Sequence, residues 1–391
     1  MSVTQTRARP IVILGMLFAG AFVMGCAEML VVGMIDLIAV DLEVSLAAAG
    51  ALVTANALGL ALGGPLLTFL TTRFDRRTVV LATASVFLVA NALPAVFADY
   101  GLFLVVRVVA GAMQGLFIAA AMVVATAIVT PDRSGRAMAV VISGFATASA
   151  IGLPLGTLLG QSTGWRGAFV AVVLATGVVL VSLLFAAPSV PTPIGARALG
   201  QARDAFAPRV LAVLSVSFLT FAAMLAAITY LVPFLAEVTG LRGPVVTLYL
   251  VVYGIATTVG SSIGGRFADA DAGRMLVVGA VGVLVSLVAM LLLGGEPWGA
   301  ALAVLGIGML GMATAPSIQH RVVELSGPGA PLAASLPASA VNAGIAAGSL
   351  AGGVAIQLGE VRSAVIAGIG IAAIAIVAAM VTRSLRRPDE A

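Results

Sequence analysis

Apolar residues fill this chain of 391 residues in twelve long stretches, and short connections between the stretches carry most of the charges. Within a stretch the apolar positions are continuous rather than alternating, which is typical of a spanning helix and not of a membrane-barrel strand. A helix needs about 20 mostly apolar residues to cross a bilayer. The predicted spans are residues 11–38, 46–70, 78–97, 101–130, 137–161, 167–187, 210–236, 245–267, 275–293, 298–319, 333–358 and 364–381. The pattern predicts an all-α integral membrane protein with twelve transmembrane helices.

Composition supports the same class, because hydrophobic residues make up 61% of the chain and charged residues only 9%. Soluble domains contain about 45–50% apolar and about 25% charged residues. The lipid bilayer is therefore the expected surrounding of most of the chain.

Arginines mark the orientation, since lysine is absent and short cytoplasmic loops carry the basic excess. Sixteen of the twenty basic residues lie on one set of alternate connections and at the two ends: Arg7, Arg9, Arg73, Arg76, Arg77, Arg133, Arg136, Arg197, Arg203, Arg209, Arg266, Arg274, Arg321, Arg383, Arg386 and Arg387. The opposite side holds Arg166, Arg242 and Arg362, and Arg107 falls inside a span. Both termini are predicted to be cytoplasmic. The net charge of +4 reflects this loop bias, so no nucleic-acid partner is expected.

The scarcity of reactive residues excludes most catalytic chemistry. Cys26 is the single cysteine and His320 the single histidine, so an intramolecular disulfide and a Cys/His metal cluster lack their residues. Without lysine there is no phosphate-binding loop of the Gly-rich Lys-Ser/Thr type. The sequence predicts no enzyme and no cofactor. The first apolar run is too long for a secretory signal, so we expect it to remain as the first helix.

Glycines indicate an internal duplication. Three in the fifth span recur in the eleventh with a constant offset of 192 residues: Gly152, Gly156 and Gly160 against Gly344, Gly348 and Gly352. Gly63 and Gly64 of the second span likewise recur as Gly264 and Gly265 of the eighth. The longest connection, with prolines, glycines and three arginines, reads as a linker. We predict an N-terminal six-helix bundle over 1–188, a cytoplasmic linker over 189–209 and a C-terminal six-helix bundle over 210–391, as rocking-type secondary transporters have.

The spacing of these glycines has two interpretations. Small residues every fourth position let helix backbones approach closely in lipid. The alternative adds motion, with the fifth and eleventh spans each sliding against a helix of the other bundle. Pro154 removes one backbone donor in the fifth span and can set a bend there.

The stretch from Gly152 to Arg166, Gly-Leu-Pro-Leu-Gly-Thr-Leu-Leu-Gly-Gln-Ser-Thr-Gly-Trp-Arg, resembles the fifth-helix antiporter motif of the major facilitator superfamily. Similarity also extends to Gly25-Cys-Ala-Glu28, to Arg107 with Gly111 and Gly115, and to Asn342 with its glycines. The most similar branch is the bacterial drug/proton antiporters of the chloramphenicol-exporter and arabinose-efflux-like group. The resemblance covers essentially the whole length. It implies the major facilitator fold, a bacterial inner-membrane location and proton-coupled transport, with the fourth-helix arginine associated with proton coupling.

The loop after the second span departs from the family pattern, with Thr72 at the usual acidic position and Asp75 at the second glycine. Its charged residues are Arg73, Asp75, Arg76 and Arg77, and the corresponding loop of the second half keeps Gly265 and Asp269. Such a cluster could latch the two bundles together through charge-assisted hydrogen bonds and helix-dipole contacts. The alternative is a cluster that only enforces orientation.

Glu28 lies about 17 residues into the first span, where a carboxylate is costly unless it faces a cavity, pairs or takes up a proton. Asp36 lies about 80° further round the helix and about 12 Å along it, near the outer mouth. Arg107 enters the fourth span by roughly two turns, to a similar depth. We predict that these three residues couple proton movement to shape, with Glu28 and Arg107 as a pair that protonation opens. A structural ion pair, and for Asp36 a solvated helix end, remain the alternatives.

Few polar or aromatic side chains interrupt the other spans, and we predict that they line a substrate cavity near the membrane midplane. These candidates are Asn56, Gln114, Tyr230, Phe234, Tyr249, Tyr253 and Asn342. Any of them could instead serve packing or hydrogen bonds between helices. A mostly aliphatic cavity suits an amphiphilic, weakly charged molecule better than a sugar.

The sequence therefore predicts a monomeric antiporter for multidrug efflux and antibiotic resistance, exporting a small hydrophobic compound similar to chloramphenicol in exchange for protons. A sugar or metabolite exporter of the same fold is the first alternative. A ligand sensor that does not transport is a remote one.

Overall fold

The computed structural model describes residues 10–71, 73–130, 133–190, 206–327, 333 and 336–385. Every regular element in this part of the chain is a helix. The helices are α1 (Pro10–Gly33), α2 (Ile35–Asp41), α3 (Leu46–Leu58), α4 (Gly64–Leu70), α5 (Arg76–Val96), α6 (Tyr100–Ala127), α7 (Ser134–Thr147), α8 (Leu153–Ala186), α9 (Pro208–Ile228), α10 (Leu231–Glu237), α11 (Pro244–Leu293), α12 (Pro297–Met312), α13 (Thr314–Ser326), α14 (Leu336–Leu358) and α15 (Arg362–Arg383). Most of the predicted linker lies outside the described residues, as do Arg7, Arg9, Thr72, Arg197, Arg203, Arg386 and Arg387.

Among the described residues, eleven helices are long and apolar enough to cross a membrane, and Arg136–Phe145 is a shorter apolar helix. The fifth predicted span accounts for the difference from twelve: a π turn divides it, and its second part meets the sixth span at a kink between two helices. In α8 the backbone turns at Gly164, whose φ of +76° is accessible to glycine at little cost. The end of the fifth predicted span and the whole sixth therefore lie on either side of Gly164. In α11 the interruption is at Asp271, whose carboxylate accepts a 2.8 Å hydrogen bond from the Arg274 N–H.

Local backbone irregularities divide other spans. The first predicted span is α1 followed by α2, with the break at Met34. Single π turns interrupt two spans, at Gly59–Gly63 and at Ala148–Gly152. The second π turn leads directly into Pro154, which lacks a backbone donor, so the widened turn accommodates the missing hydrogen bond.

The described residues form two compact units. One comprises the chain through Leu37 and residues 55–190, and the other comprises residues 38–54 and the described chain from 206 onward. In the first unit α1 packs against α6, α7 and α8, and α5 packs against α6 and α8. In the second, α9 packs against α14 and α15, and α11 against α12 and α15. The division into two six-helix bundles and a linker stays a prediction.

Aromatic packing fixes one end of the first unit. The Trp165 and Phe103 rings stack with centroids 5.4 Å apart, and Phe169 meets Phe103 edge-on at the same separation. These residues join α6 to the part of α8 that follows Gly164. Elsewhere, large apolar side chains such as Leu62, Phe185 and Leu358 are exposed on the helices, as lipid contact requires.

The glycine stripes of the fifth and eleventh spans each pack within their own unit. A Cβ added at Gly152, Gly156 or Gly160 would meet α1, at Cys26, Leu30 and Met34 respectively. A Cβ at Gly344, Gly348 or Gly352 would meet α9, at Phe218, Ala222 and Ala226. The sliding of the fifth and eleventh spans against a helix of the other bundle stays a prediction. Their role in this structure is close backbone packing inside each unit.

Gly348→Ala should destabilise the second unit, because the new methyl group would overlap the backbone carbonyl of Ala222 and α9 would have to shift. Overpacking of this kind costs about 1–3 kcal/mol. The measurement is the midpoint of thermal unfolding of the detergent-solubilised protein. Gly370→Ala on α15 is the matched control, since a Cβ there meets nothing within 4 Å and alanine favours the helix. Equal midpoints for the two variants would contradict the packing argument.

Candidate functional site

Glu28 is the centre of the candidate site. It lies on α1, on the length of that helix that packs against α6, α7 and α8. Its side chain is half-buried, and among the acidic residues of the sequence it is the one placed in the middle of a span. A carboxylate at this depth needs hydrogen-bond donors or a proton, since lipid supplies neither.

Gln114 on α6 supplies the donor. Its side chain is fully buried, and its Nε2 donates a 2.5 Å hydrogen bond to Oε2 of Glu28. The other end of the same amide, Oε1, has no hydrogen-bond partner among the described residues. A bond from an amide N–H to an ionised carboxylate is charge-assisted and is about twice as strong as a neutral one.

Arg107 lies two helical turns before Gln114 on the same face of α6 and is 2% exposed. Its Nη1 donates to the Ala27 carbonyl at 3.0 Å and its Nη2 to the Glu28 carbonyl at 3.5 Å. Its positive charge also interacts electrostatically with the Glu28 carboxylate. The structure therefore brings the predicted acid and arginine together. Gln114 donates a hydrogen bond to the carboxylate, and Arg107 also binds the backbone of α1.

Asn56, also predicted to bind substrate, lies in the second span opposite α6. It is 1% exposed, and its Nδ2 has no partner among the described residues. Glycines bring the two helices together: a Cβ at Gly111 would overlap the Asn56 carbonyl, and a Cβ at Gly59 would overlap the Val108 carbonyl. The close approach leaves two unpaired polar groups, Nδ2 of Asn56 and Oε1 of Gln114, in the interior of the first unit.

Asp36 stands apart from this group. It occupies the first turn of α2, beyond the break that ends α1, and its carboxylate accepts a hydrogen bond from the Leu37 N–H. An acidic residue in this position stabilises the start of a helix through the helix dipole. Its side chain is half-buried, and both the solvated helix end and the role of Asp36 in coupling stay predictions.

The remaining predicted substrate residues lie in the second unit, where local bonds occupy several of their polar groups. Tyr230 Oη donates to the Ser349 carbonyl at 3.0 Å, and Tyr249 Oη donates to the Pro297 carbonyl at 2.8 Å. Asn342 Nδ2 donates to the Ala338 carbonyl of its own helix at 2.9 Å. Phe234 and Tyr253 are buried and lie against Gly294 and Gly308. Packing and helix-to-helix bonds account for these contacts.

A cavity of about 530 Å³ in the second unit contains none of these candidates. It lies at the ends of helices rather than inside a span, and its lining includes Leu46, Glu237, Ile356, Glu360, Val361 and Arg362. The predicted midplane cavity stays a prediction.

The charged loop after the second span binds to its own unit. Asp75 caps α5, accepting from the Arg77 N–H at 2.9 Å and from Ser189 Oγ at 2.6 Å. The Arg76 N–H donates to the Val190 carbonyl, and Arg77 Nη2 donates to the Leu184 carbonyl. These bonds tie the start of α5 to the end of α8, and Arg73 is exposed. In the other loop Gly265 faces open space, and the side chain of Asp269 lies outside the described residues. The latch between bundles stays a prediction.

Sequence reasoning placed Gln114 with the substrate residues and missed its bond to Glu28. A signal was present in the sequence. Gln114 follows Arg107 by seven residues, which is nearly two complete turns, so the two side chains leave the same face of one helix. Residues on one face of the fourth span meet the same stretch of the first.

Comparison with known proteins gives one family throughout. The family described as Major Facilitator Superfamily matches residues 17–331. YtbD of Bacillus subtilis, named an uncharacterized MFS-type transporter, is 31% identical over 90% of this chain and 91% of its own. The inner membrane transport protein YdhP of Escherichia coli K12 is 31% identical, covering 90% and 92%. The chloramphenicol resistance protein of Streptomyces lividans is 31% identical over 84% of both chains.

A solved structure has the same fold. The bacterial homolog of the human lysosomal transporter Spinster, crystallised inward-facing and unoccupied, aligns with a TM-score of 0.78 over 97% of this chain and 98% of its own. Its sequence identity is 15%, so the likeness concerns the fold alone.

A double-mutant cycle should detect the interaction between Glu28 and Arg107. Glu28→Gln and Arg107→Met each remove one charge, and the stabilities of the single and double variants give the coupling energy. We expect a coupling of about 0.5–3 kcal/mol, measured by denaturant unfolding in detergent at a pH where the acid is ionised. A parallel cycle of Arg107→Met with Asn91→Leu should give no coupling, because the Asn91 amide bonds only to the Phe87 carbonyl of its own helix. Zero coupling in the first cycle would show that the two charges act independently.

Proposed function

Because the chain belongs to the Major Facilitator Superfamily, we propose that this multi-pass membrane transporter exports a small hydrophobic, drug-like compound in exchange for protons. The observation that carries the proposal is the Glu28 carboxylate inside the first span, bonded to Gln114 and close to the charge of Arg107. A transporter is not an enzyme, and its chemistry here reduces to binding and to moving one proton.

Glu28 is the group that takes up the proton. When it is ionised, the Gln114 amide and the Arg107 charge stabilise the carboxylate. Protonation removes the negative charge, so the electrostatic attraction that draws Arg107 toward α1 is lost while its bonds to backbone carbonyls remain. The two protonation states therefore favour different arrangements of α1 and α6, which is the requirement for coupling a proton to a conformational change.

The direction follows from the predicted orientation, with both termini in the cytoplasm of a bacterial cell and the inner membrane as the location. Glu28 gains a proton when the site is open to the outside and releases it to the cytoplasm, where substrate then binds. The membrane potential contributes about 2.3 kcal/mol per charge per 100 mV, enough for a roughly 50-fold gradient if one net charge moves per cycle.

Two observations support a hydrophobic, weakly charged substrate. One is that a relative which the chain matches over 84% of its length is named a chloramphenicol resistance protein. The other is that the interior of the first unit is mostly aliphatic, with the unpaired Nδ2 of Asn56 among its few polar groups. A few placed hydrogen-bonding groups in an apolar site suit an amphiphile of this kind.

Glu28→Gln should abolish drug accumulation driven by a pH gradient in inverted membrane vesicles, because an amide cannot carry the proton. The folded variant should remain in the membrane, since glutamine has the same shape. Glu296→Gln is the matched control, for this acid is exposed at the start of α12 and should transport like the parent. Unimpaired accumulation by Glu28→Gln would remove this residue from the mechanism.

The substrate class is tested by a susceptibility panel on cells that express the chain. We expect reduced killing by chloramphenicol or another small neutral hydrophobic antibiotic, and no reduction when the Glu28→Gln variant is expressed at the same level. If cells that express the chain export a labelled sugar but no labelled drug, a sugar or metabolite exporter becomes the proposed function.

A further inference from the structure

Gln114 has a bonding pattern that a substrate ligand or a packing residue does not need. Its amide is fully buried, donates from Nε2 to the Glu28 carboxylate, and leaves Oε1 without a partner among the described residues. A buried amide oxygen that accepts no bond is costly. A neutral carboxylic acid beside it would provide the donor that it lacks.

The internal duplication identifies which residues belong with Glu28. The fifth-span glycines contact α1 in the same way that the eleventh-span glycines contact α9. Adding 192 to both residue numbers of one contact gives the other, as for Gly152 with Cys26 and Gly344 with Phe218. The contacts of the second span with the fourth and of the eighth with the tenth are offset by 201 residues, as in Gly59 with Val108 and Gly260 with Met309. These two offsets assign to residues of the first unit their counterparts in the second unit. The assignment uses only contacts inside each unit.

By these offsets, the counterparts in the second unit are Thr220 for Glu28, Gly308 for Arg107 and Ala315 for Gln114. All three differ together: where the acid is absent, the arginine and the amide are absent too. This pattern accords with a role of Gln114 in the chemistry of Glu28, to which it donates a hydrogen bond.

Arg107 is the charged group that faces Glu28 from α6. The other elements packed against α1 contribute none near it, because residues 137–165 of α7, the π turn and α8 contain no ionisable side chain. Arg136 and Arg166 lie at the two ends of that stretch, and Cys26 lies on α1 itself. Gln114 is thus the neutral group whose hydrogen bond to the carboxylate changes on protonation.

We propose that Gln114 is a positioning residue whose side-chain amide turns over when Glu28 takes up a proton. In the ionised state the Nε2 group donates to the carboxylate. A hydronium ion then transfers its proton to the carboxylate and leaves as water, and the new O–H group donates to Oε1 of the rotated amide. The rotation exposes an N–H donor where the acceptor had been, so the amide transmits the protonation state from α1 to the interior of α6. This inference rests on the proton exchange proposed above.

The test uses infrared difference spectroscopy of the full-length chain in lipid nanodiscs, recorded between low and high pH. In the parent, the C=O band of protonated Glu28, identified by its loss in Glu28→Gln, should change together with a glutamine amide band. Gln114→Met keeps the side-chain length and removes both hydrogen bonds. In this variant the amide change should vanish and the carboxylic C=O band should move to higher frequency, as expected for an acid without an acceptor.

In Gln114→Met, Glu28 should bind its proton about tenfold more tightly than in the parent protein. The bond to the charged carboxylate is the stronger of the two that are lost, so the ionised state is destabilised more. Asn91→Met is the matched control, because it removes a buried amide that bonds only within α5 and should leave the band and the titration unchanged.

An unchanged carboxylic band and proton affinity in Gln114→Met would overturn the proposal, as would a parent spectrum in which no glutamine band changes with pH. The second outcome needs no variant, and Gln114→Leu replaces the methionine variant should that one not fold. If Glu28→Gln still accumulates drug, the proton-exchange function itself fails. If only the Gln114 variants behave like the parent, the function stands and the amide has no part in it.

Discussion

The structure depends on how a carboxylate is accommodated inside a membrane. An acidic side chain at the centre of a span costs about 2.5–3.5 kcal/mol on insertion scales, and lipid offers no donor to offset that cost. Here a buried amide 86 positions further along the chain donates to the Glu28 carboxylate, and an arginine from the same helix supplies the opposite charge. Because both come from α6, the acid fixes the rotation of α6 relative to α1. The rest of the first unit packs around this pair of helices.

Close contact between helix backbones allows the side chains of α6 to reach Glu28 on α1. In lipid there is little hydrophobic drive between helices, so glycine stripes supply the contact area by letting backbones touch. Gly111 and Gly59 place α6 against the second span, while Gly152 and Gly156 place α8 and its preceding π turn against α1. Since an added methyl group would overlap neighbouring atoms at these four positions, the register of the helices is fixed to one residue. Such precision is what a 2.5 Å bond between side chains on two helices requires.

The two units share their packing but not their chemistry. Glycine contacts repeat with constant offsets of 192 and 201 residues, so the same scaffold has been built twice. At the positions equivalent to the acid, the amide and the arginine, the second unit has a hydroxyl, a methyl group and a hydrogen atom. The hydroxyls of Tyr230 and Tyr249 instead bond to backbone carbonyls of other helices, and the Asn342 amide bonds to a carbonyl of its own helix. The first unit thus has an ionisable centre at positions where the second unit has neutral side chains.

The amino-acid sequence by itself determined the class, the spans, the family and the depth of Glu28 and Arg107, because hydropathy and motif spacing are properties of residues along one helix. It also placed the glycine stripes, although not the helices they touch. Only the tertiary structure decided that the stripes contact α1 and α9, that the backbone turns at Gly164 between two spans, and that Gln114 donates to the carboxylate side chain. The reason is physical: contacts across helices depend on rotation and register, which long-range packing sets to within an ångström, and no periodicity along a single span records them.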